Sequence, residues 1–133
     1  MRGIVLADTG PLYAARDPGD THHGRSHDEL ARLRAQNLKV VVPYPILLES
    51  YSLVMRKLGK RQAHALLAEV TSTSILANAT KEDYQDASVT ILPYQNQDLT
   101  LFDTVLAAMS DRLEAPVWTF DYHFDVMMVD VWR

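Results

Sequence analysis

The chain has 133 residues, 47% of them hydrophobic and 23% charged, with a formal net charge of −4. That length predicts one domain over residues 1–133, burying roughly two-thirds of its unfolded surface, and the composition excludes disorder or a coiled coil. There is no cysteine, which excludes a disulfide framework, a thiolate zinc site and a cysteine nucleophile. No apolar run approaches the roughly 18 residues of a membrane span, and no signal-peptide core opens the chain, so a cytoplasmic protein without membrane association is expected.

Apolar patterns along the chain alternate between strand and helix, with no repeat or linker. Residues 2–7 read as a strand buried on both faces, ending at Asp8 and followed by a Thr9-Gly-Pro turn. Asp17-Pro-Gly-Asp20 reads as a second turn, and residues 21–37 as a helix. Val40–Val42 reads as a strand stopped by Pro43, and Pro45–Leu58 as a helix ended at Gly59. Gln62–Val70 reads as helical and Ser74–Ala77 as a short strand. Lys81–Leu92 is helical by composition, against the β-branched run Val89-Thr90-Ile91. Thr100–Leu113 reads as a helix, Val117–Phe120 as a strand, and Val126–Trp132 as one further edge strand. Strands alternating with helices predict a three-layer α/β/α sandwich around a mainly parallel sheet of four or five strands.

In parallel sheets ligands gather outside the carboxyl ends of the strands. Asp8 stands at such an end, and Asp121 closes a second apolar run, Pro116-Val-Trp-Thr-Phe-Asp121. Two strand-end carboxylates suggest a site for a hard cation. The helix over residues 45–60 carries an apolar stripe of Leu47, Tyr51, Val54 and Leu58. Glu49 lies roughly 160–200° from that stripe, on one line with Leu53, Arg56 and Lys60. It reads either as a solvated glutamate in the first turn or as a third acid at the strand-end edge. Asp103 also has two readings. Thr100-Leu-Phe-Asp103 fits a capping box, while Phe102, Leu106, Met109 and Leu113 form the buried stripe and leave Asp103 beside the small Ala107 and Ser110. Capping and cation binding are compatible.

These segments resemble a known family. Ile-Val-Leu-Ala-Asp8-Thr-Gly-Pro-Leu, Pro45-Ile-Leu-Leu-Glu49-Ser-Tyr, Asp98-Leu-Thr-Leu-Phe-Asp103 and Trp118-Thr-Phe-Asp121-Tyr-His-Phe124 resemble, in order, the motifs of PIN-domain nucleases, and especially the small VapBC-type toxins. The resemblance covers most of the chain and no motif acid is lost. It implies Mg²⁺- or Mn²⁺-dependent endoribonuclease activity on an RNA substrate, homodimerisation and neutralisation by a cognate antitoxin. It implies Asp8, Glu49, Asp103 and Asp121 as the catalytic, metal-binding acids, with Thr9 and Thr119 as polar companions.

Mg²⁺ is held through one or two carboxylates with water and substrate phosphate, so Asp8 and Asp103 are assigned as direct ligands. Glu49 and Asp121 are assigned to ligation through water or to positioning the nucleophile. The negative net charge speaks against a nucleic-acid partner unless bound cations neutralise the acids. Arg56, Lys57, Lys60 and Arg61 cluster beyond Glu49; Arg56 and Lys60 either contact RNA phosphates or complement a helix end. His23 and His27 stand four residues apart but lack the carboxylate motif of a zinc protease, and read as an exposed helix face. His123 is read as a bystander, since metal-bound water needs no histidine. Tyr84, Tyr94, Met127, Met128 and Trp132 supply either a dimer interface or core.

Three rival readings were weighed. Asp8-Thr9-Gly10 matches the aspartic-protease tripeptide, but that all-β, glycine-rich fold conflicts with five glycines and several helix-period stretches. A phosphoacceptor aspartate expects a second acid in the first turn or a late lysine, and no lysine follows Lys81. The non-enzyme alternative is a catalytically inactive PIN-like module binding RNA or protein; the intact acids oppose it.

Overall fold

Two strands are buried on both faces, and they form the middle of the sheet. The computed structural model describes residues 3–133. Strand β1 (Ile4–Ala7) has Val5, Leu6 and Ala7 all fully buried, and β2 (Lys39–Pro43) has Val41, Val42 and Pro43 buried in succession. Successive strand residues point to opposite faces, so burial in consecutive positions requires cover on both sides. The sheet is completed by β3 (Ile75–Ala77) and β4 (Val117–Trp118), in the order β3-β2-β1-β4 with every pairing parallel. The predicted α/β/α sandwich is therefore present, with four strands. Arg2, where the first predicted strand began, lies outside the described residues.

The helices are α1 (Thr9–Arg16), α2 (His23–Ala35), α3 (Tyr44–Leu58), α4 (Lys60–Thr73), α5 (Lys81–Thr90), α6 (Leu101–Leu113) and α7 (His123–Val126). No described helix is long and apolar enough to cross a membrane.

Four differences from the sequence expectation bear on function. Thr9-Gly-Pro is the first turn of α1 and not a connecting turn. Asp8 caps that helix by accepting the Thr9 N–H at 2.8 Å, and Pro11 sits where a backbone N–H has no intrahelical partner to lose. Second, β4 stops at Trp118 because Thr119 turns away to bond Asp8. Third, the predicted strand over Val126–Trp132 is mostly absent: α7 occupies its start, and Met128 takes a left-handed φ of 61°. Only one parallel bridge, Val117 to Val131, remains. Finally, α3 begins at Tyr44, which places Glu49 in its second turn and not its first. The helix ends at Gly59, whose φ of 94° suits glycine. Lys60 starts α4, so the line from Glu49 through Arg56 does not reach it.

In α6, Leu106 and Met109 are fully buried as expected, whereas Phe102 is exposed. The buried face is centred instead on Asp103, Leu106 and Ser110, flanked by Val105 and Met109. Of the aromatic and methionine residues considered for an interface, Tyr84 and Met128 are exposed. Met127 and Trp132 pack against the core and Tyr94 is half-buried.

Helices α5 and α6 are tied by one ion pair. Arg112 donates through Nε to both oxygens of buried Asp83, at 3.1 and 3.0 Å. Asp83 also accepts the Thr80 N–H at 2.8 Å in a capping box that starts α5. Burial alone pushes the Asp83 carboxyl up, but the bonds from Arg112 and Thr80 hold it below the usual carboxylate range. Asp83→Ala removes both the cap and the guanidinium's partner, and should lower stability by about 2 kcal/mol. Urea denaturation is the check; an unchanged midpoint would show that this pair does not hold the two helices.

Candidate active site

The carboxyl end of β1 delivers Asp8, 5% exposed, into a cluster of acids drawn from distant parts of the chain. Its Oδ1 accepts the Thr9 N–H at 2.8 Å and its Oδ2 accepts the Thr119 hydroxyl at 2.7 Å. Glu49 arrives from α3, half-buried, and accepts the hydroxyl of Thr9 through Oε1. Thr9 in turn accepts the hydroxyl of Ser50 at 3.2 Å. Asp103 arrives from the first turn of α6, 8% exposed. The capping box is formed: Asp103 Oδ2 accepts the Thr100 N–H at 2.9 Å, and Thr100 Oγ1 accepts the Asp103 N–H at 3.3 Å. Cap and site acid are the same residue.

Asp121 follows β4, and its backbone N–H bonds the Thr119 hydroxyl oxygen at 2.9 Å. Its Oδ1 accepts the His123 N–H at 2.9 Å and lies 2.6 Å from His123 Nδ1. A carboxylate only accepts, so Nδ1 carries the proton. His123 therefore holds Asp121 in place and is not a bystander.

The acids act on one another electrostatically. Burial pushes Asp8 up to about 7 against the hydrogen bonds from Thr119 and Thr9, with Asp103 and Glu49 adding to the rise. Burial also raises Glu49, and the charge of Asp103 raises it further. Asp103 is raised by burial and then by Asp121. The structure thus brings together all four predicted acids and both threonines.

The donor set is wholly oxygen, as Mg²⁺ and Mn²⁺ require. Asp103 Oδ1, Glu49 Oε2 and Asp121 Oδ2 have no hydrogen-bond partner among the described residues. No three histidine, aspartate or glutamate side chains are close enough, among the described residues, to form a ready metal cage. That spacing fits an ion that keeps several waters, and does not fit one that demands a full protein shell.

The remaining candidates separate clearly. Arg56 and Lys60 are exposed, on α3 and α4 respectively. His23 Nδ1 and His27 Nε2 bond the carbonyls of Ala14 and Ala15 at 2.7 and 2.9 Å, so they close the C-terminus of α1. Ser50 and His123 are the site residues whose part was missed. Ser50 is a fully buried polar residue in register with Leu47 and Val54, and a polar residue on an apolar stripe is the signal that marks it.

No protein-family model matches the chain, and no curated protein matches it in sequence. Solved structures do match. VapC20 of Mycobacterium tuberculosis, a sarcin-ricin loop cleaving toxin, aligns with a TM-score of 0.83 and 21% identity, covering 97% of this chain and 98% of that one. VapBC2 from Rickettsia felis, bound to a DNA fragment from its promoter, gives 0.74 and 16% over 98% and 97% of the two chains. FitAcB from Neisseria gonorrhoeae gives 0.67 and 16% over 97% and 96%. The chain has the PIN fold of these toxin–antitoxin proteins.

Crowded, buried carboxylates predict a pH dependence. Asp8, Glu49 and Asp103 are all raised. Their favourable contribution is therefore full below the ordinary carboxylate pKa and is lost as pH rises, through about 7 for Asp8. Asp17 and Asp83 are lowered, so their contribution is lost only in acid. Without divalent cations the protein should lose about 2 kcal/mol from Asp8 between about pH 5.5 and about pH 8. Mn²⁺ should raise the melting temperature more at the higher pH. Melting curves for wild type and Asp8→Asn test this; the same slope in both would remove Asp8 as its cause.

Proposed function

We propose that the chain is a single PIN-like nuclease domain, a divalent-metal-dependent endoribonuclease that hydrolyses RNA phosphodiester bonds as the toxin of a type II toxin–antitoxin pair. One observation carries the reading: four carboxylates, three of them with raised pKa, converge at the carboxyl end of the parallel sheet. Burying so much like charge is unfavourable for folding alone. The fold shared with VapC20, a toxin that cleaves the sarcin-ricin loop, supports RNA as the substrate. The VapBC2 and FitAcB folds support an antitoxin partner. Cytoplasmic action and a homodimer belong to the same reading.

Asp8 and Asp103 would hold Mg²⁺ or Mn²⁺ directly, with Glu49 and Asp121 reaching it through water. The ion, when bound, supplies polarisation of the phosphodiester and a water of lowered pKa. The protein's own part is placement. Thr9 fixes one oxygen of Glu49, the Thr100 backbone fixes one oxygen of Asp103, and His123 fixes one oxygen of Asp121. In each case the other oxygen faces the task of orienting water or ion. Arg56 and Lys60 are assigned to RNA phosphates. Arg56 lies seven residues beyond Glu49 on α3, roughly 10 Å along its axis.

Purified wild type should cleave RNA, including a sarcin-ricin loop oligonucleotide, with Mg²⁺ or Mn²⁺, and stop in EDTA. Asp8→Ala should be inactive; equal cleavage by both proteins would sink the assignment. Asp121→Asn should lower kcat on the order of a hundredfold with little change in RNA affinity, since its work is done during the reaction. Arg56→Ala with Lys60→Ala should do the reverse. Binding isotherms across salt concentrations should show a slope reduced by roughly one, and an unchanged slope would remove these cations from the interface.

A further inference from the structure

Asp121 stands between two aromatic residues, Phe120 and Tyr122, whose rings the mechanism above leaves without a task. Tyr122 is 65% exposed, yet its ring is held. It stacks on His123 with centroids 4.3 Å apart and planes 28° from parallel. His123 is itself buried and locked to Asp121 through its ring and its backbone N–H. One face of the tyrosine is therefore fixed and the other opens to solvent beside the site. On the other flank, Phe120 passes over Gly10, where a β-carbon would stand 3.7 Å from its Cδ2. His22 leans on this ring with centroids 5.0 Å apart, and the Arg25 guanidinium lies 4.3 Å above it. Both partners are exposed, although Arg25 also bonds Glu29 at 3.2 Å.

An exposed, immobilised tyrosine gives folding little, since its outer face stays in water. It suits an unpaired nucleobase, because every base has a π-face and the ring needs no ordering when the base arrives. The cation over Phe120 suits the backbone of the same strand. We propose that Tyr122, with the Phe120–His22–Arg25 cluster opposite, forms a base-stacking subsite for unpaired nucleotides flanking the phosphate at Asp121. The proposal rests on the nuclease reading and adds a substrate class: looped or single-stranded RNA, with duplex excluded because its bases are already stacked.

The test measures binding in EDTA, so that it does not depend on cleavage. A fluorescein-labelled single-stranded RNA and a ladder of the same oligonucleotide, each member lacking one base, are titrated with wild type, Tyr122→Ala, Tyr122→Phe and Arg25→Ala. Tyr122→Ala should weaken binding on the order of tenfold, and Tyr122→Phe should retain most of the affinity. One abasic position should cost wild type a similar factor and cost Tyr122→Ala nothing more, which a merely structural role would not produce. Independent, multiplying losses, or unaltered binding by Tyr122→Ala, would overturn the subsite. So would a Tyr122→Ala variant that loses self-association while binding RNA normally, since the ring would then be a protein contact. If Asp8-dependent cleavage is absent but the coupling holds, the nuclease reading fails and the subsite stands; the opposite pattern removes the subsite alone.

Discussion

The burial of one carboxylate organises this protein. Asp8 sits where β1 ends and α1 begins, almost wholly out of water, and desolvation outweighs the two hydrogen bonds made to it. Each neighbouring element is shaped by that position. Helix α1 starts there because Asp8 caps it, and β4 ends where it does because Thr119 turns to meet the same carboxylate. Thr9, next along, reaches Glu49 on α3. No basic side chain bonds Asp8, so the arrangement gives up stability in the cation-free protein, as sites built for chemistry commonly do.

Much of the fold was legible because burial on both faces leaves an unambiguous mark. Val5-Leu6-Ala7 and Val41-Val42 read as strands from composition alone, and Thr100 with Asp103 announced the start of α6. The failures share a physical origin. Gly10 and Pro11 look like turn residues, yet a helix's first turn tolerates both, and only the tertiary setting of Asp8 decides. Val126–Trp132 has the apolar content of a strand, but Asp121 and His123 start a short helix first, and the chain regains the sheet only at Val131. Gly59 was read correctly as an end to α3, and the same residue breaks the line that would have joined Arg56 to Lys60.

The site divides in a similar way. Carboxylates at the ends of apolar runs are conspicuous, so Asp8 and Asp121 stood out, and Glu49 and Asp103 followed from helix geometry. Ser50 did not, because a small polar residue on a helix is ordinary until its complete burial and its bond to Thr9 are known. His123 was in view, but its work depends on the turn that brings its ring back onto Asp121, which no local pattern encodes.

A shared device emerges from the hydrogen bonds. Glu49, Asp103 and Asp121 each commit one oxygen to a protein donor and leave the other without a partner among the described residues. The committed oxygen removes rotational freedom that binding would otherwise have to remove, and the free one keeps its lone pairs for a ligand. For Asp103 the committing bond is a helix cap, and for Asp121 it comes from a histidine that also carries the stacked Tyr122 ring. Ordinary stabilising contacts thus double as positioning. A site assembled this way is held by the ends of its elements and by the strength of their caps, and it can be stiff without the acids ever closing into a cage.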